Sequence, residues 1–218
     1  MNFSAFVLIT AATLLATPVF ADKIPLPKAA YSADVTIVSK GRTYTGHVNV
    51  DGAKELRAIK DKSGVETIRI IRRDQGKVYD LRPKRHLAVA MRLAAAEAAG
   101  ETGAAPGTDV DSFYGAEAIP EGQETIAGLE TTKYHIKMDA GPGLTVDAEV
   151  WATEDGIIAR VIGKTSVDSD NQPARMELTN VARGPQDAAL FELPAAMELL
   201  STDSDSDIPQ NTVVKPAP

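Results

Sequence analysis

The residues with the most chemical potential in this 218-residue chain are spread thinly. The three histidines, His47, His86 and His135, fall in three separate predicted hairpins. None has a second histidine or an acid at metal-ligand spacing on its own strand, so ordinary strand histidines are expected and no metal site. There is no cysteine, which rules out a thiolate nucleophile, a thiolate zinc site and a disulfide framework. No G-x-S-x-G elbow, G-x-G-x-x-G turn or phosphate-binding loop occurs. Asp109 and Asp111 flank a glycine-rich stretch and read as solvated or capping acids, because a catalytic dyad needs a rigid floor. The expectation is a protein without enzymatic activity and without a cofactor. One cluster stands out. Arg69, Arg72, Arg73, Lys77, Arg82, Lys84, Arg85 and His86 fall within eighteen residues of a chain whose net charge is -7. Arg72, Arg73, Lys77, Arg82, Lys84 and Arg85 would suit docking of an acidic partner or a lipid head group. The alternative is a pair of solvated turns whose charges discourage edge pairing.

The compartment is easier to read. Phe6 to Ala16 is a short apolar run broken by Thr17-Pro18, and Val19 and Ala21 supply small side chains for a signal peptidase. Such a run is too short to span a bilayer and predicts a cleaved leader over residues 1–21, with export to the periplasm. Without cysteine the chain cannot be acylated as a bacterial lipoprotein. Between the leader and residue 200 lies one domain's worth of chain, about 180 residues, able to bury roughly 70% of its unfolded surface. Residues 201–218 turn acidic and proline-containing and predict a disordered tail. The acidic balance excludes nucleic acid as a partner, since phosphate neutralisation needs a basic surface. A monomer is expected.

The elements that must position any site are strands. Tyr31–Lys40 alternates, with Tyr31, Ala33, Val35 and Ile37 on one face. Arg42–Val50 follows with Tyr44, Gly46, Val48 and Val50 sharing a side. Asp51-Gly52, Ser63-Gly64 and Arg73-Asp74-Gln75-Gly76 are hairpin turns, and Arg82–Arg85 is another. Gln123–Ile126, Thr131–Met138, Leu144–Trp151, Ile157–Lys164 and Ala174–Val181 are further strands, with a polar turn at Asp168–Gln172. Regular spacing of this kind predicts an antiparallel sheet. From Leu87 to Ala99 the chain is nearly all alanine, with Leu87, Met91, Ala94, Ala95 and Ala98 on one helical side, which predicts a helix of about ten residues. A loop follows through Gly100, Gly103, Pro106 and Gly107. Asp111 or Ser112 then caps a short turn, and Asp187–Pro194 is a short terminal element.

In order, YSADVTIVSKGRTYTGHVNVDG and ETIRIIRRDQGKVYDLRPKRH resemble an uncharacterised exported bacterial family of the outer-membrane lipoprotein carrier (LolA-like) superfamily. The shared pattern is a strand, an Arg-x-Asp-x-Gly turn at Arg72–Gly76, a hydrophobic strand at Lys77–Leu81 and a Pro–basic turn at Arg82–Arg85. GQETIAGLETTKYHIK, AEVWATEDGIIARV and DAALFELP continue it, so the likeness runs from Tyr31 to Pro194. Tyr79 fills the family's aromatic place after the Asp-x-Gly turn, whereas Leu87, Ala88 and Val89 replace a second aromatic. The resemblance implies a mainly β fold with a few helices: a curved antiparallel sheet, an open half-barrel, under a helical lid. It also implies a concave apolar face that shields acyl chains, each exposed methylene costing about 0.8 kcal/mol in water.

The residues expected to line that face are Val35, Ile37, Tyr44, Val48, Ile68, Ile70, Tyr79, Tyr134, Ile136, Val146 and Val161. The functional expectation is a periplasmic, non-catalytic carrier of a lipid or lipoprotein acyl chain in outer-membrane biogenesis. The alternative is an interaction or stress-sensing module of the same fold, without a lipid, that docks an envelope protein on the basic hairpin.

Overall fold

Alternating apolar and polar residues, punctuated by glycine turns, put most of the chain into strands. The computed structural model describes residues 21–98, 110–141, 144–167 and 170–201. In chain order the strands are β1 (Asp22–Lys23), β2 (Tyr31–Ser39), β3 (Arg42–Asp51), β4 (Lys54–Asp61), β5 (Glu66–Arg72), β6 (Lys77–Arg82) and β7 (Leu87–Arg92). After them come β8 (Glu117–Ile126), β9 (Leu129–Gly141), β10 (Leu144–Ala152), β11 (Ile158–Val167), β12 (Asp170–Arg183) and β13 (Glu198–Ser201). They form a single curved, open sheet in the order β1-β8-β9-β10-β11-β12-β2-β3-β4-β5-β6-β7-β13. Neighbours are antiparallel except β13, which runs parallel to β7. The predicted leader, the loop through Gly107 with Asp109, and the tail beyond Ser201 lie outside the described residues.

The curved sheet with few helices is as expected; the helical lid is not found among the described residues. Leu87–Arg92 is strand β7, and helix α1 spans only Leu93–Ala98. Alanine's helix preference is worth tenths of a kcal/mol per residue and yields to tertiary pairing. The Pro83–Arg85 turn, closed by His86 in the left-handed region (φ 50°), folds β7 back along β6. Ala88 and Ala90 then lie on the same face as Leu81 and Tyr79 and are fully buried. The preceding turn, Arg73–Gln75, closes the same way on Gly76 (φ 63°). The predicted polar turn at Asp168–Gln172 is also shorter, since β12 begins at Asp170. The short turn near Asp111 is a 3-10 turn over Val110–Phe113.

The sheet has apolar side chains on both faces. On the face termed inner, β2, β3 and β8–β12 carry the main core, including Val35, Ile37, Val150, Ile136 and Leu178. Ile24, Phe113 and Val110 pack onto it from outside the strands. On the outer face of β4–β7, Ile70, Leu81 and Ala88 form a second cluster around Phe191. Phe191 belongs to a 3-10 turn, Ala188–Phe191, whose N-cap Asp187 accepts a hydrogen bond from the Ala189 amide. A third, small cluster joins Ile71, Val78 and Ala96 where α1 covers the inner face of β5 and β6. Gly46 lets β3 and β4 approach, because a Cβ there would collide with the Ala58 carbonyl.

Candidate functional site

Cross-strand register decides which residues share a face, because partners directly opposite point the same way. Val35 lies opposite Leu178 and Gly46, and Ile37 opposite Met176 and Tyr44. Met176 lies opposite Val161, Val161 opposite Val150, and Val150 opposite Tyr134. Ile136 faces Ala148, Val146 faces Met138, and Val48 faces Ala33. Val35, Ile37, Tyr44, Val48, Tyr134, Ile136, Val146 and Val161 therefore occupy one continuous inner face. The other three expected lining residues do not join them. Ile68 and Ile70 are paired with Leu81, Tyr79, Ala58 and Leu56 on the outer face, beneath the Phe191 segment. The single apolar face expected from the sequence is thus two faces.

The inner face is covered. The segment Val110–Ala116 crosses it, with Phe113 buried and Val110 and Tyr114 half-buried. It is tied to the N-terminal segment by the Gly115 amide donating to the Ile24 carbonyl (2.9 Å) and the Ile24 amide donating to the Ala116 carbonyl (3.1 Å). The space left beneath it is about 30 Å³, lined by Val35, Ile37, Val48, Ile59, Met176 and Tyr114 among others. That is room for about one water, roughly a tenth of the smallest usual ligand pocket.

One wall of this space is charged. Glu55 and Arg57, both buried, line it and are ion-paired with each other. Arg73 reaches Glu55 at 3.1 Å. Burial alone would raise the Glu55 carboxyl, but Arg57 and Arg73 outweigh it and hold the group below its ordinary value. Beside them, Arg69 grips Asp80 with two nitrogens, at 2.6 and 2.9 Å.

The basic cluster is not one patch. Six residues of β6 separate its two turns by about 20 Å. At one end Arg72 is buried, donating to Asp74 (2.8 and 2.9 Å), to Glu192 (2.8 Å) and to the Phe191 carbonyl (3.3 Å). Its pKa is pushed above the usual arginine value, chiefly by the hydrogen bonds to Asp74. Arg73 is held by Glu55, and Lys77 lies opposite both Arg72 and Arg92. At the other end Arg82, Lys84 and Arg85 are exposed. Arg72 thus fastens the Phe191 segment to the sheet.

Away from the apolar faces, the β8–β9 and β10–β11 turns frame an open polar cleft of about 640 Å³ with Lys28, Thr131, Thr132, Thr153, Asp155 and Arg183. Its arginine is neutralised by Asp155 at 2.8 and 3.1 Å. No group of three or more metal-ligating side chains occurs among the described residues. Sequence reading missed the two cover segments. The signal was present: beyond the predicted leader the chain has two phenylalanines, Phe113 and Phe191, and neither is in a strand.

These features define a one-sheet protein whose main apolar face lies under a short segment of its own chain. No protein-family model matches the sequence, and no curated protein matches it. Among solved structures the chain is similar to MucB in complex with MucA(peri), at 10% identity and a TM-score of 0.42, over 79% of this chain and 57% of that one. The complex of MucA and MucB from Pseudomonas aeruginosa gives 10% identity and a TM-score of 0.44, over 79% and 58%. A putative outer-membrane lipoprotein-sorting protein domain from Vibrio parahaemolyticus gives 8% and 0.38, over 76% and 91%. The chain therefore spans under two thirds of the two MucB-complex chains. At these values the likeness is one of general architecture and carries no functional argument.

Proposed function

We propose that this protein is a non-catalytic, periplasmic binding protein for an acyl chain, free or attached to a peptide, in the cell envelope. The observation that supports this reading is the continuous inner apolar face covered, among the described residues, by the short segment Val110–Ala116 together with Ile24 rather than by a second layer of strands or helices. The covered state has no room for a ligand, so binding requires exchange of the cover for the cargo. Re-exposing Phe113, Val110 and Tyr114 costs about 1.5–3 kcal/mol per side chain at most. A saturated chain gains about 0.8 kcal/mol for every methylene it shields, so a dozen methylenes outweigh the cover. Association entropy takes back about 4 kcal/mol or more. A dozen methylenes, about 10 kcal/mol, therefore come out near break-even, and net binding takes a chain of about sixteen or more.

A second reading has its own support. The 30 Å³ left beneath the cover is what a filled core would leave, and a module that docks envelope proteins without a lipid needs no more. Native mass spectrometry of the protein from its own periplasm, with uptake of a fluorescent fatty acid by the wild type and by Phe113→Ala, separates the two. A co-purifying lipid, or probe uptake that Phe113→Ala accelerates, supports the carrier. A clean apo mass with no uptake by either protein rejects the carrier in favour of the interaction module.

A further inference from the structure

Antiparallel register brings three turns to one end of the sheet: residues 40–41 between β2 and β3, 62–65 between β4 and β5, and 83–86 between β6 and β7. They end near one level, because Tyr44 lies opposite Asp61, Lys60 opposite Glu66 and Ile68 opposite Leu81. Each turn is two strands from the next, about 10 Å, so the three tips form a row about 20 Å long. They are far apart in sequence, and only the last falls in the basic run at residues 69–86.

The row is basic. Lys40, Arg42, Lys60, Lys62, Arg82, Lys84 and Arg85 belong to it, and all are exposed. Lys60 is answered by Glu66 at 3.2 Å. Asp61 lies near Arg42 and is taken up by its own turn, accepting from the Ser63 hydroxyl and from the Ser63 and Val65 amides. Glu198, whose amide donates to the His86 carbonyl, begins β13 beside the last turn. Beyond β2 the row is bounded by β12, which starts at Asp170. Lys40, Lys62, Arg82, Lys84 and Arg85 are in no ion pair among the described residues. Seven cations against four acids, Asp170 included, leave this rim positive in a chain whose net charge is -7. Turns about 10 Å apart lie within about one screening length of each other at physiological salt, so their fields add. An extended peptide binds along a free strand edge or in a groove, and a row of turn tips offers neither. A flat anionic surface needs only cations at one level. The middle turn also carries Val65, 62% exposed, which a lipid headgroup layer takes up and a hydrated acidic surface leaves in water.

We infer that this end of the sheet docks on an anionic phospholipid surface, with Lys40, Lys62, Arg82, Lys84 and Arg85 against the phosphates and the strands standing end-on. The inference does not depend on an acyl chain in the inner face. It gives Arg82, Lys84 and Arg85 a common surface with Lys40 and Lys62, which proximity in sequence does not show.

The test is binding of the protein, purified from its own periplasm, to vesicles of phosphatidylcholine with and without phosphatidylglycerol. Sedimentation with the phosphatidylglycerol vesicles is expected, absent with pure phosphatidylcholine and lost at about 1 M salt. Each cation near an anionic surface is worth about fivefold, so Lys62→Gln with Lys84→Gln and Arg85→Gln should weaken binding about a hundredfold. Lys62→Arg with Lys84→Arg keeps the charge and should keep the binding. Lys23→Gln with Lys28→Gln and Lys54→Gln removes the same charge far from the rim and should leave binding within about fivefold of the wild type. No sedimentation with phosphatidylglycerol vesicles overturns the inference, as does equal loss in the two triple variants, which makes net charge the cause. Binding that persists on pure phosphatidylcholine or at high salt also overturns it and points to the inner apolar face. Capture by polyglutamate without binding to vesicles overturns it in favour of an acidic protein partner.

Discussion

Phe191→Ala should detach one end of the molecule before it unfolds the rest. Phe191 is 1% exposed and centres the outer cluster of Ile70, Leu81 and Ala88, with Leu190, Leu193 and Met197 packed around it. Removing a buried phenylalanine side chain costs about 3–5 kcal/mol, transfer and cavity together. The Phe191 segment keeps a few other holds: Arg72 on Glu192 and on the Phe191 carbonyl, the short β13–β7 ladder over Glu198–Ser201, and the Glu198 amide donating to the His86 carbonyl at 2.7 Å. Those contacts amount to a few kcal/mol, so the loss is close to the whole of what holds residues 188–201 down. Local opening should therefore rise by about a hundredfold or more, at 1.4 kcal/mol per factor of ten, once the loss exceeds 3 kcal/mol. Hydrogen exchange reads this directly. Protection of the Leu199 and Leu200 amides in β13 should collapse, whereas amides in the β9–β10 ladder should keep theirs. Denaturant titration should show a smaller fall in the global midpoint than the full cavity cost. Unchanged β13 protection, or equal losses in β13 and β10, would refute the view that Phe191 anchors a separately held segment.

Two further outcomes follow from the charges. Glu55→Ala removes the carboxylate between Arg57 and Arg73 and leaves Arg57 buried; breaking a buried pair from one side costs about 3–5 kcal/mol, so a change under about 0.5 kcal/mol in a denaturation experiment would mean the pair is not closed in solution. The carboxyls of Asp74, Asp155 and Glu177 are held below their ordinary range by Arg72, by Arg183, and by Arg175 with Arg160 respectively. Their folded pKa values lie below the unfolded ones, so the stability they contribute is complete above about pH 5 and disappears as pH falls through the folded values. Stability followed by denaturant midpoint should decline on acidification below that point, and a midpoint that rises there would contradict the ion-pair assignments.

The strands and turns were largely legible in the sequence. Period-two alternation in Tyr31–Ser39 and in the stretch ending at Trp151 marks one buried side, and glycines 52, 64, 76, 128 and 156, all at positive φ, mark the turns. The pattern fails where both faces are covered. Ile70 and Ile71 are adjacent and both fully buried, one under Phe191 and the other under α1, so alternation gives no clue to which face is which. Only the register of β4, β5 and β6 shows Ile68, Ile70 and Tyr79 turned away from Val35 and Ile37. Leu87–Arg92 was misread because alanine's local preference is real and its hairpin partner is set by the tertiary fold. Sequence proximity alone does not separate a docking patch from a pair of solvated turns in the basic cluster, because it ignores that a strand carries its two ends apart.

The strand order also dictates when the sheet can be completed. β2 to β7 is one meander of neighbours in sequence, and β8 to β12 is another. They meet at a single seam, β12 against β2, where Val35 is paired with Leu178. Joining residues about 140 positions apart costs about 4 kcal/mol of chain entropy, and no local turn helps to offset it. Each meander can form from short-range contacts while the seam waits for nearly the whole chain, so a probe at Leu178 should report the slowest folding phase. Until residue 183 has been made, β2 lacks one of its two neighbours. A chain with that wiring carries β2 as an unpaired edge until its longest strand, β12, is in place, so the seam is where a growing chain is open to a wrong partner.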